Sequence, residues 1–554
     1  MRKDWVSQIC DRIELQVGKT KGPDATIICA SGISPSGPIH LGNLREVMTV
    51  HLVAEELLSR GWQVEHLHFW DDFDRLRKIP AGVSSSFEAY IGCPISDIPD
   101  PSGEYESYAA RYISDFARGL ERLGIYPRFI RQSVAYRSGK YTQQIKEAIT
   151  HRHEIFDILA QFQTLQAQKE TVSERRNVYY PFRVYCENCH KDTTTITHYD
   201  EATATITYVC QFCQYEGAFS LDEKVEGKLV WKVDWPMRWS VERVDFEPAG
   251  EDHSSPGSSF TVGQKIVQAI YHSVPPQYAS YAFVGMDGRS KISSSAGTTA
   301  TLSSALDIVE PCILRWLYVR RTNNQGFNVD YGQGLLRLYD EWDGLVRQVK
   351  EGKASEVNQK IYERAVHTSH GSVQQTPQPV QFSLLTSVLD VTQCNVAQTL
   401  RIVAQYSRKN VAAEPLQPRL NCAINWVTNY LPEDERTRIR SVFDEEAYAQ
   451  LSAADREGIQ LLVRELDAAW NLDALTELVY RIPKIVRGLP ADMAPNEELK
   501  QAQRAFFIAL YTLICGKDTG PRIPTLLLSL GKEKVKELLA PEGAVKIGRD
   551  GYAY

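Results

Sequence analysis

Ser31–Asn43 reads SGISPSGPIHLGN, and no other stretch of the chain says as much about the fold. An apolar run, Thr26 to Ala30, precedes it, and Leu41, Leu44, Val47, Met48 and Leu52 follow at helical spacing. The order is strand, turn, helix. Gly32 and Gly37 allow a tight turn, and a helix starting near His40 aims unpaired amides and its positive dipole end at an anion such as phosphate. His40 adds a proton donor beside them. Taken alone, PSG is equally an ordinary turn and HLGN an ordinary helix start.

A second segment, GRSKISSSAG at Gly288–Gly297, follows a short apolar strand, Tyr281 to Val284. It gathers Lys291, Ser293, Ser294 and Ser295 between glycines. Such a loop can fold over a triphosphate, its lysine countering charge on the phosphate oxygens in the transition state. By itself it is also a solvated Ser/Gly loop. The two segments read together predict one nucleotide site, since the chain has neither GxGxxG nor GxxxxGK[ST].

With those residues in view, the chain resembles the class I aminoacyl-tRNA synthetases, and within them the class I lysyl-tRNA synthetases. HLGN stands where that class carries HIGH, and KISSS where it carries KMSKS. The likeness runs through WDDFDRLRKIP (Trp70–Pro80), DIPDPSGEYESYA (Asp97–Ala109), YRSGKYTQQI (Tyr136–Ile145), WKVDWPMRW (Trp231–Trp239), EPAGEDHSSPGSSF (Glu247–Phe260) and GKDTGPRIPTLLLSLGKE (Gly516–Glu533). Ser294 departs from the wider pattern, standing in place of the second KMSKS lysine, which leaves Lys291 as the lysine of that motif.

Composition agrees. A chain of 554 residues implies several domains, and 43% hydrophobic with 24% charged residues is ordinary for a globular enzyme. The absence of a long apolar run or a secretory leader pattern predicts a cytoplasmic protein. The net charge of −7 does not itself suggest a nucleic-acid partner, so any such binding must rest on local patches. Two basic clusters qualify: Arg118, Arg122, Arg128 and Arg131, then Arg315, Arg320 and Arg321. A solvated helix face accounts for either equally well.

Four of eleven cysteines form Cys186-x2-Cys189 and Cys210-x2-Cys213, with twenty residues between the pairs. Two tight turns presenting four thiolates are the pattern of a structural Zn2+ knuckle, closed and therefore not catalytic. Cys29, Cys312 and Cys515 lie in apolar surroundings and read as small core residues.

The expected architecture is α/β. A Rossmann-like catalytic domain spans 1–300, with an insertion over about 100–228 that carries the knuckle. A helical stem-contact region (301–366) and a polar linker (367–381) follow. Beyond it an all-helical domain (382–554) has Ile459, Leu462, Leu466 and Trp470 on one stripe and Phe506, Leu510 and Leu513 on another, both predicted packing faces. The resemblance implies that this last domain holds the anticodon and that the insertion guides the acceptor end.

For chemistry, the resemblance implies that L-lysine and ATP, with Mg2+, form lysyl-adenylate, and that the lysyl group then passes to tRNA(Lys). Pro35, Gly37, His40, Gly42, Asn43, Lys291, Ser293 and Ser295 are the expected ATP contacts, with His40, Asn43 and Lys291 catalytic. Gly32, Ser34, Trp231, His253 and Tyr281 are the expected lysine contacts. Asp71, Asp72, Asp234, Glu251 and Asp252, with Trp235, are further groups suited to an ammonium. The glutamyl enzymes carry an arginine ahead of the corresponding turn; Ala30 stands there, which disfavours a carboxylate substrate. A glutamyl-type enzyme, an adenylate-forming relative that charges no tRNA and a non-catalytic tRNA-binding protein remain the alternatives.

Overall fold

The computed structural model describes every residue except 1–3, 80–82, 163–168, 256, 287–299, 408–410, 491–492, 495 and 541–554, and leaves the side chains of 169–171 and 407 undescribed. Its contacts divide the chain into two units. The first comprises 1–306, 311–330 and 345–374, and the second 307–310, 331–344 and 375–554, so the segment 301–366 contributes to both.

The first unit is built on a parallel sheet. Strand β1 (Ile27–Ile33) pairs in parallel with β2 (Val64–Trp70), which pairs with β3 (Arg128–Arg131). On the other side of β1, Cys29 pairs in parallel with Phe246, and Phe246 with Gln277. Ala249–Gly250 then pairs with Ser280–Tyr281. The spatial order is third, second, first, fourth, fifth. This is the doubly wound arrangement, in which successive crossovers leave β1 in opposite directions and open a crevice at its carboxyl end. The mixed Ile/Cys/Ala run of β1 suits a strand covered on both faces.

Helix α1 (Trp5–Thr20) is capped by the Asp4 side chain and packs beside α2 (Leu41–Ser59). Helix α2 buries Leu41, Leu44, Val47, Met48, Leu52 and Val53, an almost all-round apolar surface that fits a helix enclosed by sheet and neighbouring helices. Helix α3 (Tyr108–Arg122) leads into β3. Two short strands, Val284–Met286 and Phe327–Val329, pair in parallel; the undescribed 287–299 segment and the two helices after it, Leu302–Leu306 and Pro311–Val319, lie between them in sequence.

The knuckle region is a three-stranded antiparallel sheet, Thr194–Asp200, Thr205–Cys210 and Glu216–Ser220. The second unit is helical from Phe382 through Leu539 in its regular elements. Both sequence-predicted stripes bury there in one core: Ile459, Leu462 and Leu466 on helix Ala453–Glu465 and its end, and Phe506, Leu510 and Leu513 on Glu497–Cys515, with Trp470 packed on the margin. Cys29, Cys312 and Cys515 are buried. Among the described residues no helix is long and apolar enough to cross a membrane.

Candidate functional site

The crevice at the carboxyl end of β1 is where the chemistry-bearing residues meet. β1 runs on through Ser31, Gly32 and Ile33, three residues beyond the apolar run, so Gly32 is an extended strand residue rather than a turn glycine. The turn proper is Ser34–Gly37. Pro35 and Gly37 are buried in it, and the Tyr108 hydroxyl on α3 donates to Ser36 O at 3.0 Å.

His40 is the N-cap of α2, in extended backbone, and its amide donates to Asn43 Oδ1 at 3.3 Å, half of a capping box. Its imidazole lies over Gly42: a Cβ added there would stand 2.8 Å from ring atoms Cε1 and Nδ1. The HLGN glycine is thus required by the histidine two residues before it. Leu41 N donates to Ala300 O at 3.0 Å, and His40 bridges Thr301. The chain at Ala300–Thr301 is therefore anchored at the start of α2. Lys291, Ser293 and Ser295 themselves lie outside the described residues.

Below the turn is a cavity of about 490 Å³ lined by Gly32, Ser34, Asp71, Lys228 and Trp231, with Arg75, Arg77 and Arg183 also in its wall. Its floor is a buried ion cluster. Lys228 Nζ stands 3.0 Å from Asp71 and 3.7 Å from Asp234, and also meets Asp74. Arg238 pairs with both Asp71 and Asp234. The Tyr136 hydroxyl donates to Asp234. Three carboxylates and two cations leave one negative charge. Burial would raise the Asp71 carboxyl, but the neighbouring Arg238 guanidinium and Lys228 ammonium hold it at about 2.

Helix Trp231–Glu242 supplies one wall. Trp231, Trp235 and Trp239 fall at four-residue spacing, with the first two rings stacked at 5.1 Å and the next pair 5.0 Å apart. Trp239 seats on Gly263 of a neighbouring helix, where a Cβ would come within 2.9 Å of the indole. His253 meets Trp235 edge-on at 5.8 Å.

The sequence reading missed Glu46. Its Oε1 accepts from Gly32 N at 2.6 Å and its Oε2 from the Tyr281 hydroxyl at 2.7 Å. Burial pushes this carboxyl up to about 8. Glu247, which accepts from Trp239 Nε1 at 2.7 Å, is raised by burial to about 7. A carboxylate on the second turn of a helical pattern gives no sequence signal; only the fold brings Gly32 and Tyr281 to it. The five expected lysine contacts thus form one connected set: Gly32, Ser34 and Trp231 line the cavity, His253 joins through Trp235 and Tyr281 through Glu46.

Other expectations need correction. Asp72 is buried and engaged by Arg131 Nε at 2.8 Å and by Ser133 N and Oγ, capping the helix that follows β3. It faces no ligand. Glu251 and Asp252 are exposed. Arg315 is fully buried, donating to the Leu123, Ala365 and Arg364 carbonyls, so it belongs to no surface patch.

The four knuckle thiols lie within 4.8 Å of one another. Cys186–Cys213 and Cys189–Cys210 sulfur pairs are 3.6 Å apart, close to the ~3.8 Å edge expected of a tetrahedron with ~2.3 Å metal–sulfur bonds. Each Cys-x2-Cys closes alike: His190 N donates to Cys186 O and Gln214 N to Cys210 O, with His190 and Gln214 at positive φ. The donor set fits a metal.

Residues 3–372 match the model of the family described as tRNA synthetases class I (K). The chain belongs to that family. It is 42% identical over 97% of its length to a lysine–tRNA ligase of Streptomyces coelicolor, covering 98% of that protein. Lysine–tRNA ligases of Pyrococcus horikoshii and Borreliella burgdorferi are 32% and 31% identical over 97% and 96% of this chain and 99% and 98% of theirs. Among solved structures, a glutamate tRNA ligase from Elizabethkingia meningosepticum aligns over 93% of this chain and 98% of that one at 12% identity, with a TM-score of 0.40, too distant to carry structural argument.

Proposed function

We propose that the chain is a lysine–tRNA ligase, which joins L-lysine to ATP as lysyl-adenylate and passes the lysyl group to tRNA(Lys). The observation that carries this reading is the His40–Asn43 helix start, met by Ala300 and Thr301, beside a cavity floored by the carboxylates of Asp71 and Asp74 with Lys228. Full-length similarity to ligases of that specificity supports it.

The lysine carboxylate is the nucleophile, attacking the α-phosphorus of ATP as the bond to pyrophosphate breaks. No enzyme nucleophile is needed, so positioning and electrostatics supply the rate. Amides at the start of α2, with His40 and Asn43, stabilise charge on the phosphates; Pro35, Gly37 and Gly42 shape that cradle. Lys291, Ser293 and Ser295 clamp the departing pyrophosphate, and Mg2+ entering with ATP would help neutralise the phosphate charge.

Gly32, Ser34, Trp231, His253 and Tyr281 receive the lysine. Glu46 bonds to two of these five, which supports giving it a part in receiving the substrate ammonium, and a buried carboxyl held up at about 8 ionises more readily once a cation arrives. Cys186, Cys189, Cys210 and Cys213 hold a structural Zn2+. The helical 382–554 region serves as the anticodon domain, and the setting is cytoplasmic.

Charging of total tRNA by purified protein, with lysine, glutamate or no amino acid under ATP and Mg2+, tests this. Lysine-dependent charging is expected, with one zinc per chain by elemental analysis. Glutamate-dependent charging, or none from a zinc-loaded folded protein, would sink it. Lys291→Ala should depress adenylate formation far more than lysine binding.

A further inference from the structure

The cavity below the turn is polarised from floor to mouth. Asp71 and Asp74 meet Lys228 at the floor, whereas Arg75, Arg77 and Arg183 line the same space and are exposed.

Two backbone pairings put the arginines there. Phe182–Val184 runs antiparallel to Gly227–Leu229, with Arg183 opposite Lys228. Phe182 and Val184 are buried, so alternation along the strand turns Arg183 outward. Cross-strand partners share a face, and two cations directly opposite each other repel. Lys228 is drawn down to the carboxylates, which leaves Arg183 standing at the mouth. In the other wall Leu76 N donates to Cys93 O and Gly92 N to Leu76 O, each at 2.9 Å. Leu76 is buried, and Arg75 and Arg77 on either side of it face out.

The four-thiol knuckle fastens this second wall. Lys191 Nζ donates to Ala89 O at 2.7 Å and to Ile91 O at 2.6 Å, and Asp192 N donates to Gly92 O at 2.9 Å. Gly92 stands at φ +95°, and a Cβ on it would come 3.2 Å from Lys191 Cβ, so both the turn and the close approach favour glycine. The Asp192 carboxylate then takes Arg75 at 3.1 Å.

Arg77 and Arg183 differ from Arg75 in pairing with no acid among the described residues. A guanidinium fork of this kind matches the oxygens of a phosphate. The α2 start, to which the ATP phosphates are assigned above, does not line this cavity. The other phosphate-bearing substrate is the RNA, and the polarity agrees with it. In lysyl-tRNA the ammonium lies on one side of the new ester and the phosphodiester of the terminal nucleotide on the other.

We propose that Arg77 and Arg183 grip the phosphodiester backbone of the tRNA's 3′-terminal nucleotides as these enter the reaction cavity. The inference rests on the tRNA-charging reading above and names the groups that hold the acceptor end at that same site.

The test uses Arg77→Ala, Arg183→Ala and their double variant in the full-length enzyme, with Arg77→Lys and Arg183→Lys as charge-conserving partners. Charging kinetics are measured with intact tRNA(Lys), and the same tRNA lacking its 3′-terminal trinucleotide serves as a competitive inhibitor. Each alanine variant should raise the KM for intact tRNA about 3- to 10-fold, and the double variant more. The lysine variants should recover much of that loss. KM for lysine and for ATP should keep their parent values, as should the inhibition constant of the trimmed tRNA, which never reaches the arginines. Both side chains are exposed, so the thermal midpoint should not move.

A parent-like KM for tRNA in the double variant overturns the inference. Equal weakening of intact and trimmed tRNA also overturns it, because the arginines then hold another part of the RNA. A raised KM for ATP with that for tRNA unchanged assigns them to the nucleotide's phosphates instead, and the RNA assignment falls. A parent enzyme that charges no tRNA is a different failure, that of the functional reading itself.

Discussion

Each unit buries a charge network of the same net sign, and the two networks do different things. In the first unit Asp71, Asp74 and Asp234 face Lys228 and Arg238 at the floor of a cavity. In the second, Arg419 alone serves two acids, with Nε 2.6 Å from Glu310 and Nη1 2.8 Å from Asp343. There Thr376 donates to Glu310 through N and Oγ, and the guanidinium stands 5.0 Å from the Tyr339 ring, itself stacked on Phe382 at 3.8 Å. The second network buries Arg419 and Glu310, leaves Asp343 partly exposed, and ties three chain segments of its unit together. The first leaves a surplus charge facing open space. Buried ion pairs give little net stability by themselves, but removing one partner is severe. The distinction therefore lies in what the leftover charge sees.

Breaking each network at its cation is the strongest test of that difference. Arg238→Met leaves Lys228 as the one cation for three carboxylates, and should cost about 3–5 kcal/mol in denaturant unfolding while abolishing lysine binding even where the protein stays folded. Retained lysine affinity would mean that the cluster is only a staple. Arg419→Met should cost about 3 kcal/mol, as Asp343 is partly exposed and keeps some water. Lysine affinity measured by calorimetry below the unfolding transition should not move. A drop there would make the second network functional too.

Acid should separate the units next. Asp71 sits below its unfolded value, so its contribution is complete above about pH 4 and is lost as pH falls through about 2. The sign is that of an unfolded state binding more protons than the folded one. A loss of about 2–3 kcal/mol between pH 5 and 2 is expected, with hydrogen exchange rising first around β2 and helix Trp231–Glu242. Earlier opening of the Arg419 region would reverse the ranking.

Tyr136→Phe is the mildest probe. It removes one hydroxyl donor from Asp234 without exposing a charge, and should cost about 1 kcal/mol with a small rise in KM for lysine.

How much of this was legible in advance differs by residue. His40, Gly42 and Asn43 announce a helix start because capping is local: the residues that satisfy the first amides lie within three positions of each other. The knuckle was legible for the same reason, two four-residue turns fixing all four thiols. Asp72 and Asp234 were read as candidates for an ammonium because sequence gives charge but not direction; the fold spends one on a helix cap and the other on Arg238. Arg315 read as surface because a helix of mixed composition does not state which face turns inward.

The amino-acid sequence by itself determined the local pieces: a strand-turn-helix cradle, a four-thiol metal turn and two apolar stripes, each held by contacts a few residues long. Only the tertiary structure decided that Glu46 joins Gly32 to Tyr281, that five charges close the cavity floor and that Ala300 returns to the start of α2. Those contacts span up to 259 positions of chain, from Leu41 to Ala300. No local propensity encodes them, because the energy that fixes each comes from burial shared with the whole parallel sheet.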